Sequence, residues 1–100
     1  MDDDTVPTMA CIHAIVGGRV QGVNFRVFVR NHAQSLGITG WVRNLTGFKE
    51  VEVWAEGEKE CLKQLVKQLH QGPRFAKVNR MQLEWGNYEG TYTDFQIRRG

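Results

Sequence analysis

The hydrophobic period of this chain switches from two residues to about 3.6 and back, twice over, and that alternation admits few folds. Ile12, Ala14 and Val16 share one face of a strand predicted over 10–17, with His13 on the other. Phe25, Phe28, Val29, His32, Ala33 and Leu36 then fall on one stripe of a helix over about 24–35, and Gly37 is suited to a left-handed cap. His32 belongs to the edge of that stripe. A second strand is read at 39–44, a turn at 45–49 around Gly47, and a third strand at 50–56. In that third strand Val51, Val53 and Ala55 alternate with Glu52, Trp54 and Glu56, the pattern of a sheet with one open face. Leu62, Leu65, Val66 and Leu69 mark a second helix over 58–71, opened by glutamates and closed by Gly72-Pro73. Met81, Leu83 and Trp85 alternate in a fourth strand over 77–85, and a short last strand follows the loop 86–93, at 94–98.

The order is βαββαβ plus a short C-terminal strand. Two helices covering one face of an antiparallel sheet give an α+β, ferredoxin-like sandwich. At 100 residues the chain is one domain with one modest core. Residues 1–9, acidic at the start and broken by Pro7, read as a disordered tail. They include no apolar stretch of the secretory kind, and nothing in the sequence is long and apolar enough to span a bilayer. A cytoplasmic protein without membrane partners is expected. Cys11 and Cys61 make no disulfide framework and read as small packing residues, with their pairing left open. The sequon Asn44-Leu45-Thr46 is discounted in the absence of a secretion signal.

Chemistry concentrates in the first strand-to-helix loop, Gly18-Arg19-Val20-Gln21-Gly22-Val23-Asn24-Phe25-Arg26. A glycine-bearing loop between a strand and a helix aims backbone N–H groups and the positive end of a helix dipole at one point. Arg26 adds a guanidinium fork, so the loop suits a phosphate-sized dianion. The bland alternative is an ordinary βα turn with a surface Arg. A net charge of +2, with both signs interspersed, argues against bulk nucleic-acid binding, although Arg19, Arg26, Arg30 and Arg43 flank the two informative segments. The second such segment is Gly40-Trp41-Val42-Arg43-Asn44.

Together the two segments resemble the acylphosphatase family. The family pattern runs Gly-x-Val-Gln-Gly-Val-x-Phe-Arg, a helix ending in Leu-Gly, then Gly-aromatic-Val/Ala-basic-Asn. It is met at Gly18, Val20 to Val23, Phe25 and Arg26, at Leu36-Gly37, and at Gly40 to Asn44. The resemblance continues through Gly72-Pro73-Arg74 and Asp94 to Arg98, and so covers about residues 11–98, with an acylphosphatase-like domain expected over 10–98. It implies the ferredoxin-like fold and hydrolysis of small-molecule acyl phosphates to carboxylate and phosphate, with no metal and no cofactor. It also implies that Val20, Gln21, Gly22, Val23, Asn24, Phe25 and Arg26 bind the phosphate, and that Asn44 orients the attacking water. The residues agree with that chemistry. A carboxylate is a good leaving group, so positioning and charge stabilisation can suffice. Asn44, being both donor and acceptor, can fix a water without acting as a base. Gln21 and Asn24 are expected to brace the loop, and Arg43 to face solvent or the mouth of the site.

Two departures stand out. Leu45-Thr46-Gly47-Phe48-Lys49-Glu50 is longer than the family's usual short turn and borders the site, which bears on leaving-group preference. Arg99-Gly100 replaces the usual aromatic ending, so no docking role is expected there. Competing readings fare worse. Hydrogenase maturation proteins embed such a domain in a larger chain with a zinc-ligand array, and this chain has no such array. An RNA-binding βαββαβ domain needs strand aromatics that are missing, and Glu52 and Glu56 on the open face would repel a phosphate backbone. A metal carrier of this topology needs Cys-x-x-Cys in the first loop. A free-standing monomeric enzyme is the simplest expectation.

Overall fold

The computed structural model describes residues 7–47 and 49–99. Along them run β1 (Met9–Arg19), α1 (Phe25–Ser35), β2 (Thr39–Asn44), β3 (Glu50–Glu58), α2 (Lys59–Gln71), β4 (Lys77–Asn87) and β5 (Phe95–Arg98). The first six are the predicted βαββαβ. One five-stranded sheet has the order β4-β1-β3-β2-β5. Side chains of β1 and β3 that point to the helices, Ile12, Ala14, Val16, Val51, Val53 and Ala55, are all fully buried. They meet Phe25, Val29 and Ala33 from α1 and Leu62, Leu65 and Leu69 from α2, which are the two predicted helical stripes. Burying each of the Val, Ile, Leu and Phe side chains contributes roughly 1.5–3 kcal/mol, so this layer holds the two helices on the sheet.

Several boundaries differ from the periodicity. β1 starts at Met9 and runs on to Arg19, and the Lys59 N–H donates to Thr8 O at 2.8 Å. The end of the expected tail is therefore ordered, with Met9 in β1 and Thr8 tied to the start of α2; residues 1–6 of that tail lie outside the described residues. β3 and β4 extend to Glu58 and Asn87 because the long β1 offers them partners, Ala10 facing both Gly57 and Asn87. The sheet is not wholly antiparallel, since β5 runs parallel to β2 with Gly40 opposite Phe95 and Val42 opposite Ile97. A parallel edge arises because the chain returns across the open face through residues 88–94 before pairing.

That crossing overturns the expected exposure of Glu56. The carboxylate is fully buried and accepts the N–H groups of Glu89 at 2.9 Å and Thr91 at 3.2 Å. His13 is likewise no free surface residue, as its Nε2 lies 2.6 Å from Glu52 Oε2 while Arg43 binds Glu52 Oε1 at 2.7 Å. Burial alone would push the Glu52 carboxyl up, but the hydrogen bonds and charges of His13 and Arg43 outweigh it and hold the group below its ordinary range. Both cysteines are free thiols, and burial, then nearby glutamates, push both up, which disfavours the reactive thiolate. None of the described helices is long and apolar enough to cross a membrane.

Candidate active site

The loop between β1 and α1 is shaped by its backbone. Between Gly17 and Gly18 the β1–β4 register shifts, and Gly18 has φ +128°, so β1 is irregular there before it ends at Arg19. Gly22 has φ +76° and Asn24 φ +67°, two left-handed residues separated by Val23. Glycine takes that conformation freely, and asparagine more readily than most residues. Open space surrounds Gly22, with nothing within 4 Å of where a Cβ would stand, so the glycine serves the dihedral rather than a close approach.

Asn24 is the N-cap of α1 but makes no side-chain cap hydrogen bond, and no acidic residue lies in the first turn. The first intrahelical bond runs from Phe28 N–H to Asn24 O at 3.1 Å. By helix geometry the amides of Phe25, Arg26 and Val27 therefore lack an intrahelical acceptor. Three orphan donors at the positive end of an uncapped helix favour an anion there.

The same three residues line a hollow of about 300 Å³ whose walls also include Val20, Gly22, Asn24 and Asn44. Asn44 ends β2, where its backbone still pairs with Val51. The Gln21 side chain fixes its distance from the loop. Gln21 Nε2 donates to Leu45 O at 2.9 Å and to Glu50 O at 2.8 Å, spanning the β2–β3 turn that Leu45 N–H to Glu50 O closes at 3.0 Å. Gly18 N–H to Lys49 O adds a further tie at 3.0 Å. Gln21 is thus the expected brace. Its amide nitrogen is committed to the turn.

Not every predicted position reaches the hollow. Val23 packs on the core and lines no wall of it. Arg43 turns to the open sheet face, held by Glu52 and lying 5.6 Å from the centre of the Trp41 ring, not at the site mouth. Among the described residues Arg30 bonds to its neighbour Asn31 and lines no wall of this hollow. Of the four arginines flanking the two segments, Arg26 alone lines the hollow.

Beside it lies a second hollow of about 360 Å³, which shares Arg26 and Asn44 and adds Gln21, Leu45, Thr46, Gly47 and Arg99. Arg99 is the residue that sequence reasoning missed, its departure from the aromatic ending having pointed away from any role. A larger hollow of about 540 Å³, at the far end of the sheet, is walled by Lys59, Lys63 and Trp85 and offers no acid–base pair. Among the described residues no three His, Cys, Asp or Glu side chains gather as metal ligands.

The family model named Acylphosphatase matches residues 12–97. The chain belongs to the acylphosphatase family. Its enzyme class is accordingly acylphosphatase, a hydrolase of acyl phosphates. Among family relatives, the acylphosphatase of Pseudomonas paraeruginosa is 53% identical over 89 residues, covering 89% of this chain and 96% of the relative. That of Dehalococcoides mccartyi is 43% identical over 90 residues, covering 90% and 99%. The solved structure of an acylphosphatase from Coxiella burnetii superposes with a TM-score of 0.85 at 42% identity, covering 91% of this chain and 94% of that one. The ferredoxin-like acylphosphatase fold is therefore that of this chain, with β5 as its parallel edge.

Proposed function

We propose that the loop 18–26 cradles the phosphoryl group of a small acyl phosphate, that Arg26 clamps it, and that Asn44 orients the water that attacks phosphorus. One observation carries this reading. Arg26 and Asn44 both line the hollow that is also lined by Phe25 and Val27, whose amides, like that of Arg26, lack an intrahelical acceptor. An uncapped helix end with no acidic residue, a fork-shaped cation and a neutral hydrogen-bonding amide together match the requirements of phosphoryl transfer from a good leaving group.

In the proposed reaction the water oxygen bonds to phosphorus as the bond from phosphorus to the acyl oxygen breaks. The electron pair of that bond leaves with the carboxylate. Both water protons end on the phosphate, so R–CO–O–PO₃²⁻ and H₂O give R–COO⁻ and H₂PO₄⁻. Asn44 takes no proton; its carbonyl accepts from the water and holds it in one orientation. Negative charge developing at the transferring group is met by the amides and by Arg26, in place before the reaction begins. No step requires a metal. One copy of the chain supplies every group, so a monomer suffices, and two free thiols suit the reducing cytoplasm.

The test is hydrolysis of benzoyl phosphate in EDTA by the wild type, Arg26→Ala and Arg26→Lys. Turnover by the wild type, its loss by roughly 10³-fold or more in Arg26→Ala, and little recovery in Arg26→Lys are expected, because an ammonium is a point charge and not a bidentate fork. Wild-type turnover that vanishes in EDTA and returns with a divalent cation would refute the metal-free scheme. Full activity in Arg26→Lys would refute the fork.

A further inference from the structure

We infer that the hollow beside the cradle receives the acyl half of the substrate, and that Arg99 selects acyl phosphates carrying a second negative charge on that half. The inference rests on the reading above, which seats the phosphoryl group in the first hollow. An acyl phosphate has two halves joined at one oxygen, so the acyl half must occupy space adjoining the phosphoryl group. The second hollow adjoins it through the two shared residues, Arg26 and Asn44, and is at least as large, about 360 Å³ against about 300 Å³.

Its walls set the preference. Leu45 gives apolar surface and Thr46 a hydroxyl, while the Gln21 amide nitrogen is committed to Leu45 O and Glu50 O. With Arg26 engaged by the phosphoryl group, Arg99 is the remaining charged side chain of the lining, and no carboxylate lines this hollow among the described residues. An arginine in the wall of a hollow whose described lining holds no carboxylate favours an anionic group there, by attraction and by bidentate geometry with a carboxylate or phosphate. Acyl groups without charge, such as acetyl, fill part of the space and leave Arg99 unengaged. The preference that Arg99 adds is thus for an acyl half with a carboxylate or a second phosphate a few bonds from the scissile anhydride.

The experiment compares kcat/KM for benzoyl phosphate and 4-carboxybenzoyl phosphate, which differ by one remote carboxylate, in the wild type, Arg99→Gln and Arg99→Glu. The readout is the ratio of the carboxylated to the plain substrate. Arg99→Gln lowers that ratio about fivefold, the upper end for a solvent-exposed ion pair, and Arg99→Glu lowers it further. In 1 M salt, where the Debye length is about 3 Å, the difference between variants shrinks toward one. Equal ratios in the wild type and Arg99→Gln overturn the inference, as does a proportional fall with both substrates, the mark of a purely structural role. If the wild type fails to hydrolyse benzoyl phosphate, the functional reading itself falls and this inference with it, an outcome plainly distinct from equal ratios.

Discussion

Asn44→Ala separates orientation of the water from binding of the phosphate. The side chain is half-buried at the end of β2, and its strand pairing with Val51 is made by the backbone. Among the described residues its amide makes no hydrogen bond to protein, so truncation strands no buried partner and should move Tm by only a degree or two. Turnover is another matter. Loss of one preorganised hydrogen-bonding group acting in the transition state costs about 2.7–4 kcal/mol, or roughly 10²–10³ in kcat. In the proposed scheme phosphate is held by the amides of Phe25, Arg26 and Val27 and by the Arg26 fork, none of which Asn44 supports, so the inhibition constant of inorganic phosphate should stay within about twofold. Asn44→Asp supplies the converse. At a separation of ~5 Å and an effective dielectric of ~20, a carboxylate opposes each phosphate charge by about 3 kcal/mol, so phosphate inhibition should weaken at least a hundredfold. The assay is steady-state hydrolysis of benzoyl phosphate with phosphate as competitive inhibitor. Near-normal kcat in Asn44→Ala, or phosphate inhibition lost in step with kcat, would refute the water-orienting role.

Two further predictions concern the open face of the sheet. Glu56→Gln keeps the shape of a buried side chain but replaces one acceptor oxygen with an N–H donor, leaving either the Glu89 or the Thr91 amide facing a donor. An unsatisfied buried donor costs about 1–3 kcal/mol, so Tm should fall by roughly 10 °C, with faster amide exchange at 88–92; an unchanged melt would refute the brace. Glu52 has a folded-state pKa below its unfolded value, so its contribution to stability is complete above the ordinary glutamate range near pH ~4.3 and is lost as pH falls through the lower folded value. Glu52→Gln should therefore flatten the acid limb of the urea midpoint against pH, and a slope equal to that of the wild type below pH ~4 would contradict the network with His13 and Arg43.

What the sequence disclosed depends on how far apart the interacting residues lie. Ile12, Ala14 and Val16, like Phe25, Val29 and Ala33, declare their elements because one face of one segment is buried, and periodicity within about ten residues reports that. Gly57, Gly86 and Asn87 carry no such alternation, and their places in β3 and β4 follow from pairing with a β1 that is longer than its own pattern suggests. Glu56 sits on an outward register and reads as a surface charge; only the later passage of 88–94 over it makes it a buried acceptor. The parallel direction of β5 is likewise a property of where the chain returns.

The two hollows divide in the same way. The first takes most of its walls from the nine-residue loop at 18–26, with Asn44 held against it by the Gln21 brace, so a local motif announces it. The second adds to Arg26 and Asn44 the side chain of Gln21, the turn after β2 and the residue after β5, and no motif reaches those last two pieces. If the phosphoryl end is held by the first and the acyl end by the second, the chemistry resides in a compact segment and the selectivity in dispersed ones. Substitutions at Arg99 or within 45–47 can then change which acyl group is accepted without disturbing the anion cradle, while a change at Arg26 or Asn44 acts on every substrate alike.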